Sequence, residues 1–202
     1  DEERFRINVF DCKKEFAEIF APSSQGDLPA GQAGGRVDDS TRRGEVRGFD
    51  AVIGNPPYIP IESMTTEEKG YYQKHHLALE RKYDSSVVFI LALMEKLKPS
   101  GLLSFISSVT WQTGENYRAL RELLFKRGCV SSLVNLPFDV FKNAYVDTGV
   151  YILSGRVLGS YRIYRFPKKA RVSSLDDVDY ITVPSKLVTA PEYKVVLDPK
   201  AA

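Results

Sequence analysis

Asparagine, two prolines and a tyrosine stand in a row at Asn55-Pro56-Pro57-Tyr58, directly after the apolar run Phe49-Asp50-Ala51-Val52-Ile53-Gly54. These residue types suit the methylation of an exocyclic amino group conjugated to an aromatic ring. The lone pair of such a nitrogen is delocalised into the ring, so the nitrogen is a poor nucleophile. Two hydrogen-bond acceptors aimed at its N–H protons favour a tetrahedral nitrogen and free the lone pair. The Asn55 side-chain oxygen can be one acceptor and the Pro56 carbonyl the other. Proline offers no N–H donor and fixes φ, which makes the turn stiff, acceptor-rich and extended at Asn55. Tyr58 adds a flat face on which a base can stack. The same four residues also suit a plain strand-ending turn with a packed tyrosine. The apolar run before them favours the chemistry, because open α/β sheets bind ligands in the crevice outside the carboxyl ends of their strands.

Other reactive types give weaker signals. His75-His76 are adjacent, a poor spacing for one metal ion, and read as a surface pair on a polar loop; no metal site is expected. The two cysteines, Cys12 and Cys129, belong to no C-x-x-C pair, which points to reduced thiols in a cytoplasmic protein rather than a disulfide scaffold or zinc ribbon. No nucleophile–base pair, paired-carboxylate site or phosphate loop with its lysine stands out. Tyr161–Arg171 carries Arg162, Arg165, Lys168, Lys169 and Arg171 with no acid among them, interleaved with Tyr161, Tyr164 and Phe166. That pattern suits either a phosphate backbone or a solvated edge strand guarded by its charges.

The elements that must position the Asn55 loop follow from periodicity. Arg6–Phe10 alternates as a short strand ending at Asp11, and Lys13–Phe20 resembles a short helix. From Ala21 to Gly48 the chain turns to Gly, Ser, Pro, Asp and Arg, too polar to offset its ordering entropy. Residues 22–48 are therefore expected to form a flexible insertion in which Arg42, Arg43 and Arg47 face water. After the Asn55 loop and a polar stretch, Asp84 can cap a helix with Val87, Ile90, Leu91, Met94 and Leu97 on one face, stopped by Pro99-Ser100-Gly101. Leu102–Ile106 is the next strand. Glu115–Lys126 forms a helix with Leu120, Leu123 and Leu124 inward and Gly128 as its stop. Val130–Leu136 and Gly149–Leu153 are further strands, joined by too short a link for a crossover and so expected to pair antiparallel. Alternation of this kind predicts an α/β sheet, mostly parallel with one antiparallel strand.

The 202 residues, 43% hydrophobic and 27% charged, suit an ordinary globular chain. A net charge of +2 implies no nucleic-acid partner by itself. The longest apolar run, Val87–Met94, is too short to span a bilayer, so no membrane partner is expected.

Phe49-Asp-Ala-Val-Ile-Gly-Asn-Pro-Pro-Tyr-Ile59 resembles motif IV of the gamma-class DNA adenine-N6 methyltransferases, and in particular the methylase domain of type IIG restriction–modification enzymes. The likeness continues through Tyr83-Asp-Ser-Ser-Val-Val-Phe-Ile90, Leu97-Lys-Pro-Ser-Gly-Leu-Leu-Ser-Phe-Ile106 and Trp111. It ends with Phe138-Asp-Val-Phe-Lys-Asn-Ala-Tyr-Val-Asp-Thr-Gly-Val-Tyr-Ile-Leu153. The resemblance implies a Rossmann-like S-adenosylmethionine-dependent methyltransferase fold. It implies transfer of a methyl group from S-adenosylmethionine to N6 of an adenine flipped out of double-stranded DNA, within a restriction–modification or phage-defence system. It assigns catalysis to Asn55, Pro56, Pro57 and Tyr58, base stacking to Tyr58 and Phe141, and cofactor contact to Asp11 and Asn55. By their own types, Phe141 equally suits a core position and Asp11 a helix N-cap.

In two respects the chain departs from that pattern. No strand feeds a glycine-rich cofactor turn, since Gly31-Gln-Ala-Gly-Gly35 follows no strand, and the acid expected for the cofactor ribose is missing. Both precede residue 1 in the family arrangement. Residues 1–158 are thus expected to be the C-terminal half of a catalytic domain whose N-terminal half is a separate partner. Residues 159–202 would be a linker or the start of a target-recognition region. This half alone is expected to show little methyl transfer and weak cofactor binding at best. Two alternatives stay open: methylation of protein glutamine or RNA guanine, which also uses Asn-Pro-Pro-Tyr-like loops, and a non-catalytic DNA-binding remnant.

Overall fold

A computed structural model describes residues 48–76, 79, 82–138, 140, 147–172, 174–175 and 178–200. Asp11, Phe141, the strand and helix expected over Arg6–Phe20, and the insertion up to Arg47 lie outside these residues.

The apolar run before Asn55 is a strand, β1 (Phe49–Gly54). Helix α1 (Thr66–His75) follows in the stretch read from sequence as a polar loop. It buries none of its residues, so no apolar stripe betrayed it. Its start is nevertheless written in Thr65-Thr66-Glu67-Glu68: the Thr65 hydroxyl accepts from the Glu68 N–H and the Glu68 carboxylate from the Thr65 N–H, a reciprocal capping box. His75 and His76 consequently close a helix instead of sitting in a loop, His75 stacked on Tyr71 at 4.2 Å.

Helix α2 (Ser85–Met94) is capped by Asp84, whose carboxylate accepts from the Ser86 N–H at 2.8 Å, and buries Val87, Val88, Ile90 and Leu91. It ends at Met94, before the expected stop, and Pro99-Ser100-Gly101 already belongs to β2 (Leu97–Ser108). Tertiary pairing explains the difference. The Lys96 carbonyl accepts from the Phe49 N–H at 2.8 Å, which draws the chain into β2 early. At Gly101 any Cβ would come within 2.5 Å of the Phe49 carbonyl oxygen, so the glycine serves close strand approach. Helix α3 (Arg118–Lys126) is preceded by a 3-10 turn at Glu115–Tyr117 and followed by Gly128 at φ +60°. Of the three leucines expected inward, Leu120 and Leu124 are buried and Leu123 is half-buried against the core.

Strands β3 (Val130–Asn135), β4 (Thr148–Ser154), β5 (Ser160–Arg165) and β6 (Ile181–Pro184) complete a six-stranded sheet in the order β1-β2-β4-β3-β5-β6. β1, β2, β3 and β5 run one way; β4 is reversed and inserted between β2 and β3, and β6 is a second reversed strand at the far edge. The register aligns Phe105, Tyr151, Leu133 and Ile163 in one row across four strands, all buried. Burial of side chains of this size stabilises by about 1.5–3 kcal/mol each. Beyond residue 158 the chain adds to the same core, with Tyr161, Val183, Val188 and Val195 all buried. Cys129 is buried as a free thiol whose pKa burial pushes up to about 11, leaving it unreactive at neutral pH.

Candidate functional site

Asn55 leaves the carboxyl end of β1, and β1 is an edge strand among the described residues. Gly54 pairs with Phe105, so Asn55 comes level with Ile106 of β2. The loop turns outward there: Asn55 and Pro57 are exposed, Pro56 is buried and Tyr58 is half-buried. The Tyr58 hydroxyl lies 2.6 Å from Asn55 Oδ1 and 2.8 Å from the Ile106 carbonyl oxygen, and donates to this pair of acceptors. Burial and, secondarily, the nearby Asp84 carboxylate raise the Tyr58 pKa, so the phenol stays a donor across the neutral range.

What holds the loop was not singled out from sequence. Ser85, buried at the first turn of α2, donates its hydroxyl to the Pro57 carbonyl at 2.5 Å and accepts from the Ile59 N–H at 3.0 Å. The Ser85 N–H donates to the Ile59 carbonyl, and the Ile61 N–H to the Tyr83 carbonyl, both at 2.9 Å. Tyr83-Asp84-Ser85 thus straps the chain on both sides of Tyr58. Asp84 is fixed in turn, since one oxygen accepts from Ser86 and the other from the Tyr117 hydroxyl at 2.9 Å. A serine after an N-cap aspartate carries no sequence signal of this role.

The described residues bring all four loop residues together at one strand end. Phe141 and Asp11 cannot be added, because both lie outside them. Among the described residues no group of three or more His, Cys, Asp or Glu side chains gathers to hold a metal ion. Nor is any helix there long and apolar enough to cross a membrane. Among the described residues no strand pairs with the outer side of β1, and its Ile53 is 84% exposed. Such an edge invites pairing with another strand.

The sheet is an α/β sheet with one reversed strand, β4, inserted near its middle, and the acceptor-rich Asn55 loop stands at the carboxyl end of β1. The chain belongs to the Eco57I restriction-modification methylase family, whose model matches residues 1–141. A Methanocaldococcus jannaschii protein named as a type II restriction enzyme and methyltransferase is 37% identical over 152 residues, covering 73% of this chain and 12% of that protein. The Escherichia coli type II restriction enzyme and methyltransferase RM.Eco57I is 27% identical over 120 residues, 57% of this chain and 12% of that protein. The chain therefore spans 12% of the length of each of these relatives. The fold is shared with DrdV in a DrdV–DNA complex (TM-score 0.54, 16% identity, 68% of this chain and 17% of that one). It is also shared with a nuclease-deletion mutant of the type ISP restriction-modification enzyme LlaGI bound to a DNA substrate mimic (TM-score 0.51, 16% identity, 73% and 18%).

Proposed function

We propose that this chain is part of a DNA adenine-N6 methyltransferase of a restriction–modification or phage-defence system, with Asn55–Tyr58 as the loop that receives the flipped base. One observation carries the reading: Asn55 Oδ1 faces outward at a strand end and already accepts a hydrogen bond, from the Tyr58 hydroxyl at 2.6 Å. The amino group of a flipped adenine takes over that place. Asn55 Oδ1 accepts one of its protons and the Pro56 carbonyl the other. The nitrogen is drawn toward a tetrahedral shape, which frees its lone pair; the methyl group would pass to it as the cofactor's S–CH3 bond breaks with the electron pair staying on sulfur, and one amino proton would leave to water. Tyr58 gives the base a flat face, and Phe141 is the second aromatic contact by family resemblance.

S-adenosylmethionine, when bound, supplies the electrophilic methyl group. Asn55, an exposed amide at the carboxyl end of β1, would form one wall of its site. Asp11 is proposed to accept from the cofactor's adenine amino group. Double-stranded DNA and the remainder of a longer catalytic domain are the proposed partners.

Incubating the intact protein with radiolabelled S-adenosylmethionine and duplex DNA, RNA or release-factor protein tests the assignment. Label is expected in DNA as N6-methyladenine. Label confined to protein glutamine or RNA guanine would reassign the substrate, and none at all would favour a non-catalytic remnant.

Ser85 should matter here through the shape of the loop. Ser85→Ala removes two hydrogen bonds at a net cost of roughly 1–3 kcal/mol in stability. Turnover is expected to fall by more than the affinity for DNA does, because the strap bears on Tyr58 and not on phosphates. Unchanged turnover in a folded Ser85→Ala protein would mean that the loop keeps its shape without the serine.

A further inference from the structure

The basic segment after β5 has a geometric relation to Asn55 that its sequence does not reveal. β5 runs parallel to β3, and through β4 and β2 it points the same way as β1, so its carboxyl end lies at the same end of the sheet as Asn55. Register makes this tighter. Ile106, Val150, Val134 and Tyr164 share a row, and Asn55 is level with it. Two residues beyond Tyr164 the chain is still tied to the sheet, with the Phe166 N–H donating to the Asn135 carbonyl at 2.9 Å. It then makes a turn closed by the Ala170 N–H on the Pro167 carbonyl at 3.0 Å, with Lys168 and Lys169 at the tip.

Guarding a sheet edge does not explain Lys168, Lys169 and Arg171, which lie beyond the last residue of β5, and β6 covers the outer side of β5 over Ser160–Ile163. Arg162 is engaged, its guanidinium 5.0 Å from the centre of the Tyr180 ring. Arg165, Lys168, Lys169 and Arg171 are all exposed, and none of them makes an ion pair among the described residues. Exposed apolar side chains of Phe138, Val140 and Val172 flank Arg171 around a surface recess of about 360 Å³. Among the described residues these four unpaired cations start one residue past the row of Asn55, and they complement a polyanion lying along that end of the sheet.

We propose that Arg165, Lys168, Lys169 and Arg171 contact the phosphate backbone of duplex DNA to one side of the flipped base; the idea rests on the function proposed above. Sheet spacing sets the offset. Four inter-strand steps separate β1 from β5, about 19 Å at 4.7–4.9 Å per step. With about 3.4 Å of rise per nucleotide along one strand, the contacted phosphates lie roughly five to six nucleotides from the target adenine. Phosphate contacts of this kind set position and affinity without reading sequence.

The test uses the intact protein, a duplex carrying one methylatable site, and fluorescence anisotropy at several salt concentrations. For a protein with both Lys168→Ala and Lys169→Ala, the slope of log affinity against log salt should flatten by about two, one per lysine. A neutral methylphosphonate placed five or six nucleotides from the adenine should weaken the unaltered protein and leave the double variant nearly indifferent. Charge reversal, Lys168→Glu with Lys169→Glu, should weaken binding further, with an unchanged melting temperature showing that the fold survives. An unaltered salt slope, or a methylphosphonate effect confined to other positions, overturns the proposal while methylation by the unaltered protein upholds the enzyme reading. If the unaltered protein neither binds nor methylates DNA, both readings fail together.

Discussion

Asn55→Ala in the intact protein should abolish methylation while leaving DNA affinity almost untouched. The side chain is exposed, so its removal opens no cavity and leaves no buried group unpaired. Tyr58 still has the Ile106 carbonyl at 2.8 Å to receive its hydroxyl. What is lost is the acceptor that must hold one amino proton while the nitrogen becomes tetrahedral. Removing one such polarising group from a preorganised site costs on the order of 3 kcal/mol in the barrier, a hundredfold or more in rate. Affinity is dominated by phosphate contacts elsewhere and should change little. Single-turnover methylation measured beside anisotropy binding separates the two effects. A variant within a few fold of normal turnover would show that Asn55 is not the acceptor, and the loop would revert to a strand-ending turn.

How far the fold could be read in advance depended on which force set each element. The core of β2, together with β3 and β4, consists of runs of apolar residues whose burial the sheet requires, whereas β1 is legible as an apolar run although it lies exposed at an edge. The antiparallel pairing of β4 with β3 followed from the shortness of their link. Where backbone pairing overrode local signals, the reading drifted. Proline and glycine at residues 99 and 101 suggest a helix stop, yet Phe49 captures the chain first and makes them part of a strand. α1 escaped for the opposite reason. It is a solvated helix specified by its cap, and a search for apolar periodicity passes over it. β6, only four residues long, buries Val183 alone and offers too short a pattern to stand out. The candidate site divides in the same way. Asn55–Tyr58 declared itself by residue type, because few chemistries want an acceptor-rich, donor-poor turn. Ser85 stayed hidden because a hydroxyl that bridges Pro57 and Ile59 looks like any other serine until the two segments meet.

Arg121→Met is expected to destabilise the protein by at least about 3 kcal/mol. Arg121 lies on α3 and is fully buried at 0% exposure. Its guanidinium donates to the Trp111 carbonyl at 3.0 Å and the Gly114 carbonyl at 2.6 Å, both in the segment that leaves β2. It also donates twice to the Glu192 carbonyl, at 3.1 and 2.8 Å. A single planar fork thereby fastens the segment after β2 and the strap after β6 to one helix. Beside it the Val195 N–H donates to the Gln112 carbonyl, and Gln112 and Asn135 exchange buried amide hydrogen bonds at 2.8 and 2.9 Å. Methionine fills much of the volume but takes the guanidinium donors from the Trp111 and Glu192 carbonyls, at about 1–3 kcal/mol each, and leaves the Gly114 carbonyl with the Tyr117 N–H at 3.2 Å. Lysine is no substitute, because a point charge cannot span diverging carbonyls as a guanidinium does. At about 2–4 °C per kcal/mol for a chain of this size, the melting temperature should fall by roughly 6–12 °C. The loss should be uneven, with amide exchange rising first around Gln112 and Val195, the two segments that the fork joins. A change of less than about 2 °C, or exchange rising equally throughout, would show that the segments are held by their apolar contacts and that Arg121 merely fills space between them.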